Sequence, residues 1–227
     1  MTESIVSNTT EPRSIIRARV FVDYWNFQLS INSREASERG LEDYRFHIDW
    51  RGLGPWLARK ACRAIEVDPK NHSFDGVIIY ASYNPLTGEG RGFRNWATTW
   101  LDRQPGVRVE CLPRQPKGLP KCPICYKVIE FCPHRECGKR MVGSTEKGVD
   151  TFIATDMIRL AWENAYDLAV LATSDSDLVP AVEFLNLKAR KVVQAGFPPY
   201  GVDLATACWA SFDVYPDREE IERKERN

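Results

Sequence analysis

The chain has 227 residues, 43% hydrophobic and 27% charged, which suits one domain with an ordinary core and excludes a disordered polyampholyte. Its 31 basic side chains balance 31 acidic ones, so the whole-molecule charge points to no anionic partner and only local charge can. No apolar run approaches the roughly 18 residues needed to cross a bilayer, and Met1 to Ser14 lacks the basic start and apolar stretch of a secretory leader, so no membrane contact and a cytoplasmic location are expected.

The polar, aperiodic opening predicts a disordered segment over 1–17. From Arg19, the apolar run Val20-Phe21-Val22 reads as a strand that ends at Asp23, with a helical pattern after it. A helix is expected over Asp49 to Ala64, then a fully buried strand over Gly76 to Tyr80, of the unalternating kind that a parallel sheet covered on both faces requires. Aromatic residues at helical spacing mark Arg91 to Leu101, and Val107 to Leu112 forms the next strand. A Pro-, Lys- and Cys-rich insertion, 114–141, interrupts the alternation. It resumes with a helix over Val149 to Ala165, a strand over Leu168 to Ala172, a helix over Leu178 to Leu187, a strand over Lys191 to Ala195, and a closing helix and strand near Val214. Strands alternating with helices predict an α/β fold, a doubly wound and mostly parallel sheet of Rossmann-like type over 18–216. The mixed charges of 217–227 predict a solvated helical tail.

Ligands of such sheets bind beyond the carboxyl ends of the strands, where the strand order reverses. Asp23 and the pair Asp175/Asp177 follow strands, and Asp150 lies in the first turn of the helix after the insertion. Each acid has a plainer reading. Asp150 complements the helix dipole, worth about 0.3 to 1 kcal/mol, and the Ser174–Asp177 run contains preferred N-cap residues. Their coincidence carries the functional reading: crowded carboxylates repel one another, divalent cations relieve the repulsion, and oxygen-only ligands favour magnesium or manganese. Such ions serve phosphoryl chemistry. Asp23, Asp150 and Asp175 form the expected centre, with Asp177 in support. Asp156, six residues and about 240° around the helix from Asp150, is expected to be structural or to stand behind the ligands.

Four of the seven cysteines fall within sixteen residues, Cys122, Cys125, Cys132 and Cys137. The CxxC spacing and the two further ligands predict a structural zinc site, with His134 as the alternative to Cys132 and an iron–sulfur cluster as a lesser alternative. Cys62, Cys111 and Cys208 read as core thiols. Between Arg114 and Lys147 there are eight Lys or Arg against three Glu, and Lys117, Lys121, Lys127, Lys139, Arg140 and Lys147 form a candidate grip on a phosphate backbone. A solvated loop is the plain alternative. Tyr24, Trp25 and Trp96 could stack on bases, although core packing is the stronger expectation for them.

Three blocks resemble the NYN domains, a branch of the PIN-like metal-dependent nucleases: Val20-Phe21-Val22-Asp23-Tyr24-Trp25-Asn26-Phe27, then Lys147-Gly148-Val149-Asp150, then Thr173-Ser174-Asp175-Ser176-Asp177-Leu178-Val179-Pro180. The third block is usually written with glycine where this chain has Ser174. The resemblance spans roughly Arg19 to Pro216 and implies that Asp23, Asp150, Asp175 and Asp177 bind magnesium or manganese, that Asn26 orients Asp23 or a phosphate, and that RNA is the substrate. The expected activity is endonucleolytic hydrolysis with water as nucleophile. A non-catalytic RNA-binding or assembly module and a small-phosphate hydrolase are the alternatives, and a second copy or another protein as partner is left open.

Overall fold

Val20, Phe21 and Val22 are all fully buried, so the strand that holds them is covered on both faces, as its unalternating sequence requires. The computed structural model describes residues 15–134 and 137–224. In chain order the main elements are β1 (Ile16–Asp23), α1 (Tyr24–Arg39), α2 (Trp50–Ala64), β2 (His72–Tyr83), α3 (Gly88–Trp96) and β3 (Val107–Pro113). The short strands β4 (Gln115–Lys117) and β5 (Gly143–Thr145) follow, then α4 (Val149–Trp162), β6 (Leu168–Ala172), α5 (Val179–Leu187), β7 (Lys191–Gly196), α6 (Val202–Ala207) and β8 (Ala210–Asp213).

Six strands form one sheet in the order β3-β2-β1-β6-β7-β8, and every neighbouring pair is parallel. The chain builds outward from β1 to β3, returns through α4 to lay β6 against the other side of β1, and builds outward again. The strand order therefore reverses between β1 and β6, and helices must cover both faces. On one face α1 and α2 pack Phe27, Ile31, Leu53 and Leu57 against Val20, Val22 and Val170. On the other, α4 and α5 pack Ile153, Met157, Val182 and Leu185 against Phe21, Ile78 and Leu171. This is the doubly wound α/β architecture expected from the sequence. The helical stretch after β2 differs in detail: α3 begins at Gly88, and Ala97–Leu101 continues it as a π-helical turn, in which the hydroxyls of Thr98 and Thr99 bond the carbonyls of Arg94 and Asn95.

Both ends of the domain depart from expectation. Residues 1–14 of the segment expected to be disordered lie outside the described residues, but Ile16 and Arg17 belong to β1, and Arg17 pairs with Asp167 at 2.9 Å. The charged stretch after Asp217 is not a solvated helical tail as far as Lys224. A 3-10 segment, Tyr215–Ile221, folds back onto α1 and α2. Ile221 is 1% exposed, Arg218 donates to Glu35 at 2.6 Å, and Glu220 accepts from the Trp56 indole at 2.9 Å. One apolar side chain and a few specific partners among many charges are enough to dock it. Ile221→Ala is therefore expected to cost about 2 to 4 kcal/mol, read as a lower urea midpoint; a free tail would leave the midpoint unchanged.

Candidate functional site

β1 ends at Asp23, whose carboxylate caps α1 by accepting the Asn26 backbone N–H at 3.0 Å. The Asn26 side-chain oxygen in turn accepts the Ser174 N–H at 2.9 Å, which ties the end of β1 to the turn after β6. In that turn Asp175 caps a single 3-10 turn, Ser176–Leu178, accepting from the Asp177 N–H at 2.9 Å. Ser174, in place of the usual glycine, has no positive φ, so the exchange costs no backbone strain. The glycine that matters stands opposite: Gly201, at φ +72°, comes so close to Ser174 that a Cβ there would lie 2.8 Å from the Ser174 Cα. Gly148, at φ +89°, turns the chain into α4 and places Asp150 in its first turn.

These turns bring Asp150, Asp175 and Asp177 together, with one carboxylate oxygen of each within 4.8 Å of the others, the one such group of three or more His, Cys, Asp or Glu among the described residues. Asp23 is not a member. It is buried, 5% exposed, and its charge interacts with those of Asp150 and Asp175, while Asp177 belongs to the tight group. Burial first, and then the neighbouring charges of Glu146, Asp150 and Asp175, push the Asp23 carboxyl up to about 7, against the opposing effect of the Asn26 N–H. Burial, then Asp175 and Glu146, likewise raises Asp150. Acids held above their ordinary range at neutral pH mark a place where a cation would be favourable.

Glu146 was missed by the sequence reading. It bonds the Ser82 hydroxyl at the end of β2 and faces the Arg114 guanidinium at 3.6 Å, while Arg114 also donates to Ser82 at 2.8 Å. The only signal available was its position four residues before Asp150, just outside the Lys147–Asp150 block. Asp156 turns away from the group: it accepts from the Tyr80 hydroxyl and from Arg159, both at 2.9 Å, and is structural.

The aromatic residues pack. Tyr24 is buried and stacks on Trp50 with centroids 4.4 Å apart, Trp25 donates its indole N–H to the Ser82 carbonyl at 2.7 Å, and Trp96 packs against the core. Lys117, Lys121, Lys127, Lys139, Arg140 and Lys147 are all exposed. Cys122, Cys125, Cys132 and Cys137 carry free thiols, and no three of them join His134 or one another within 4.8 Å. Burial raises the Cys62 and Cys111 thiols to about 11 and Cys208 to about 12, which leaves them unreactive.

The doubly wound sheet with a carboxylate group at its switch point is of the PIN-like class, which the match to a family model shows. The chain matches the NYN domain family over residues 17–209 and belongs to that family. No curated protein matches it. A solved structure, that of a protein of unknown function from Vibrio parahaemolyticus RIMD 2210633, is similar at a TM-score of 0.48 and 16% identity, covering 90% of this chain and 98% of that one.

With no cation bound, Asp23 keeps a proton in the folded chain that the unfolded chain releases, because its folded pKa lies above the ordinary value. Stability then falls as pH rises from about 4 to about 7. Asn at this position still caps α1 but carries no charge. Asp23→Asn is expected to flatten that slope and to stabilise the metal-free protein at pH 7.5 by up to about 4 kcal/mol, measured by thermal melts in EDTA across pH. A destabilised variant with an unchanged slope would contradict the raised acid.

Proposed function

We propose that the chain is an endoribonuclease that hydrolyses phosphodiester bonds of RNA with magnesium or manganese at Asp150, Asp175 and Asp177. The observation that carries this reading is the convergence of those three carboxylates at the switch point of a NYN-family fold. The donor set fits a hard divalent cation: it is all oxygen, and three carboxylates crowd within 4.8 Å. A divalent ion held there supplies Lewis acidity toward the scissile phosphate and eases deprotonation of an attacking water.

The chain's own residues do the positioning. Asp150, Asp175 and Asp177 would hold the ion, and Asp23 and Glu146 would add negative charge to its surroundings. Asn26 fixes the turn that carries Asp175 and Asp177. Lys147, three residues before Asp150, and the lysines and arginine of the insertion would grip the sugar–phosphate chain, a contact that carries no sequence preference. No helix among the described residues is long and apolar enough to cross a membrane.

Incubation with a mixed RNA pool and magnesium or manganese should give internal cuts that EDTA stops and that Asp175→Asn or Asp150→Asn lowers by two or more orders of magnitude. Cutting unchanged by Asp175→Asn would sink the proposal, and RNA binding with no cutting under either metal would make the chain a binding module instead. The basic grip makes a separate prediction. Replacing Lys121, Lys127 and Lys139 with Ala should weaken RNA binding uniformly across sequences and lower the log–log salt slope by about 2, three contacts at about 0.7 each for single strands. An unchanged slope would return those lysines to a solvated loop.

A further inference from the structure

The insertion between β3 and α4 has no core of its own. None of its described residues from Arg114 to Gly148 is buried, and its large apolar side chains face solvent, Ile124 at 88% and Val142 at 74% exposure. Its regularity therefore needs another cause, and the backbone points to one.

The stretch contains two hairpins with the same ladder. In the first, Lys121 pairs with Val128, the Cys122 N–H donates to the Lys127 carbonyl at 2.9 Å, and the Ile129 N–H donates to the Pro120 carbonyl at 2.8 Å. In the second, Phe131 pairs with Arg140, the Cys132 N–H donates to the Lys139 carbonyl at 2.8 Å, and the Met141 N–H donates to the Glu130 carbonyl at 2.7 Å. Each rung of one has its counterpart in the other. Each loop opens on Cys-Pro and ends on a cysteine followed by a left-handed residue, Tyr126 at φ +57° and Gly138 at φ +53°. In each the first cysteine is half-buried and the second exposed. A left-handed Tyr carries a steric cost of roughly 1 kcal/mol or more, so the shape of the first loop is imposed.

We infer that the two hairpins are paired metal knuckles and that Cys122, Cys125, Cys132 and Cys137 together bind one structural zinc ion. Two residues, Ile129 and Glu130, join the hairpins, and zinc would draw to one point four sulfurs of which no three lie within 4.8 Å of one another without it. The pairing also decides the fourth ligand. By ladder register and by the Cys-Pro step, Cys132 is the counterpart of Cys122. The second loop is two residues longer, and the exposed His134 supplies the turn-closing carbonyl, bonded by the N–H groups of Cys137 and Gly138, that Cys122 supplies to the Tyr126 N–H in the first, while Cys132 keeps the place of Cys122 in the ladder. Four thiolates in tetrahedral array satisfy zinc without an open position, so the site is structural, and binding energy becomes folding energy for this arm. The inference stands whether or not the carboxylates cut RNA.

The test is metal analysis of the full chain purified without chelator, with cobalt substitution. We expect one zinc per chain, retained in Asp175→Asn and in His134→Ala and lost in Cys132→Ser. The cobalt derivative of the unmodified chain, which needs no variant to fold, should show the ligand-field bands of four thiolates. Stripping zinc should open the arm to protease between Lys117 and Arg140 while the sheet stays intact. Zinc lost in His134→Ala but kept in Cys132→Ser, bands of three thiolates and an imidazole, iron in place of zinc, or failure to bind zinc on titration would each overturn the inference.

Discussion

The bond from the Ser174 N–H to the Asn26 side chain crosses the line where the strand order reverses, and the acidic site depends on it. Beyond the ends of β1 and β6 the two segments diverge to opposite faces of the sheet, so nothing in the ladder holds them together. One side-chain amide does. Its net worth is about 1 kcal/mol, small beside the core, yet it fixes the turn that carries Asp175 and Asp177 with respect to Asp23. Gly201 secures the same turn from the other side, because only a residue without a side chain lets the chain pass so near Ser174.

The geometry that these contacts enforce is unfavourable for the charges it assembles. Five acids, Asp23, Asp150, Asp175, Asp177 and Glu146, meet where strand ends and a helix start converge, with Arg114 the cation paired to Glu146. Most of the stability must then come from the two apolar layers, which are complete on both faces of β1. The well-packed sheet tolerates a site whose members repel one another, a division of labour common where function and folding make opposite demands.

Much of this was legible in the sequence because it depends on local pattern. Runs such as Val20-Phe21-Val22 and Leu168–Ala172 announce strands covered on both faces, and a carboxylate straight after such a run lies at the ligand-binding edge. What depends on the shape of turns was not legible. That Asp177 joins Asp150 and Asp175 follows from one 3-10 turn, and spacing alone does not reveal it. Glu146 sits in an extended stretch with no periodicity to single it out, and its place is set by Ser82, 64 positions earlier. The docking of Ile221 was hidden among charged neighbours, whose partners lie on α1 and α2. In the insertion, spacing offers Cys132 and His134 alike as a candidate ligand, and the ladder register on which the zinc inference rests belongs to the folded hairpins alone.

The neck of the insertion has a further consequence. β4 and β5 pair antiparallel, Gln115 opposite Thr145, so the chain leaves the sheet and re-enters at nearly the same place, with Arg114 and Glu146 facing each other at the base. Whatever hangs from that neck is topologically a pendant. Its length can change without changing the register of β3 or the start of α4, because the paired neck fixes both ends of the excursion while the carboxylates stay where they are.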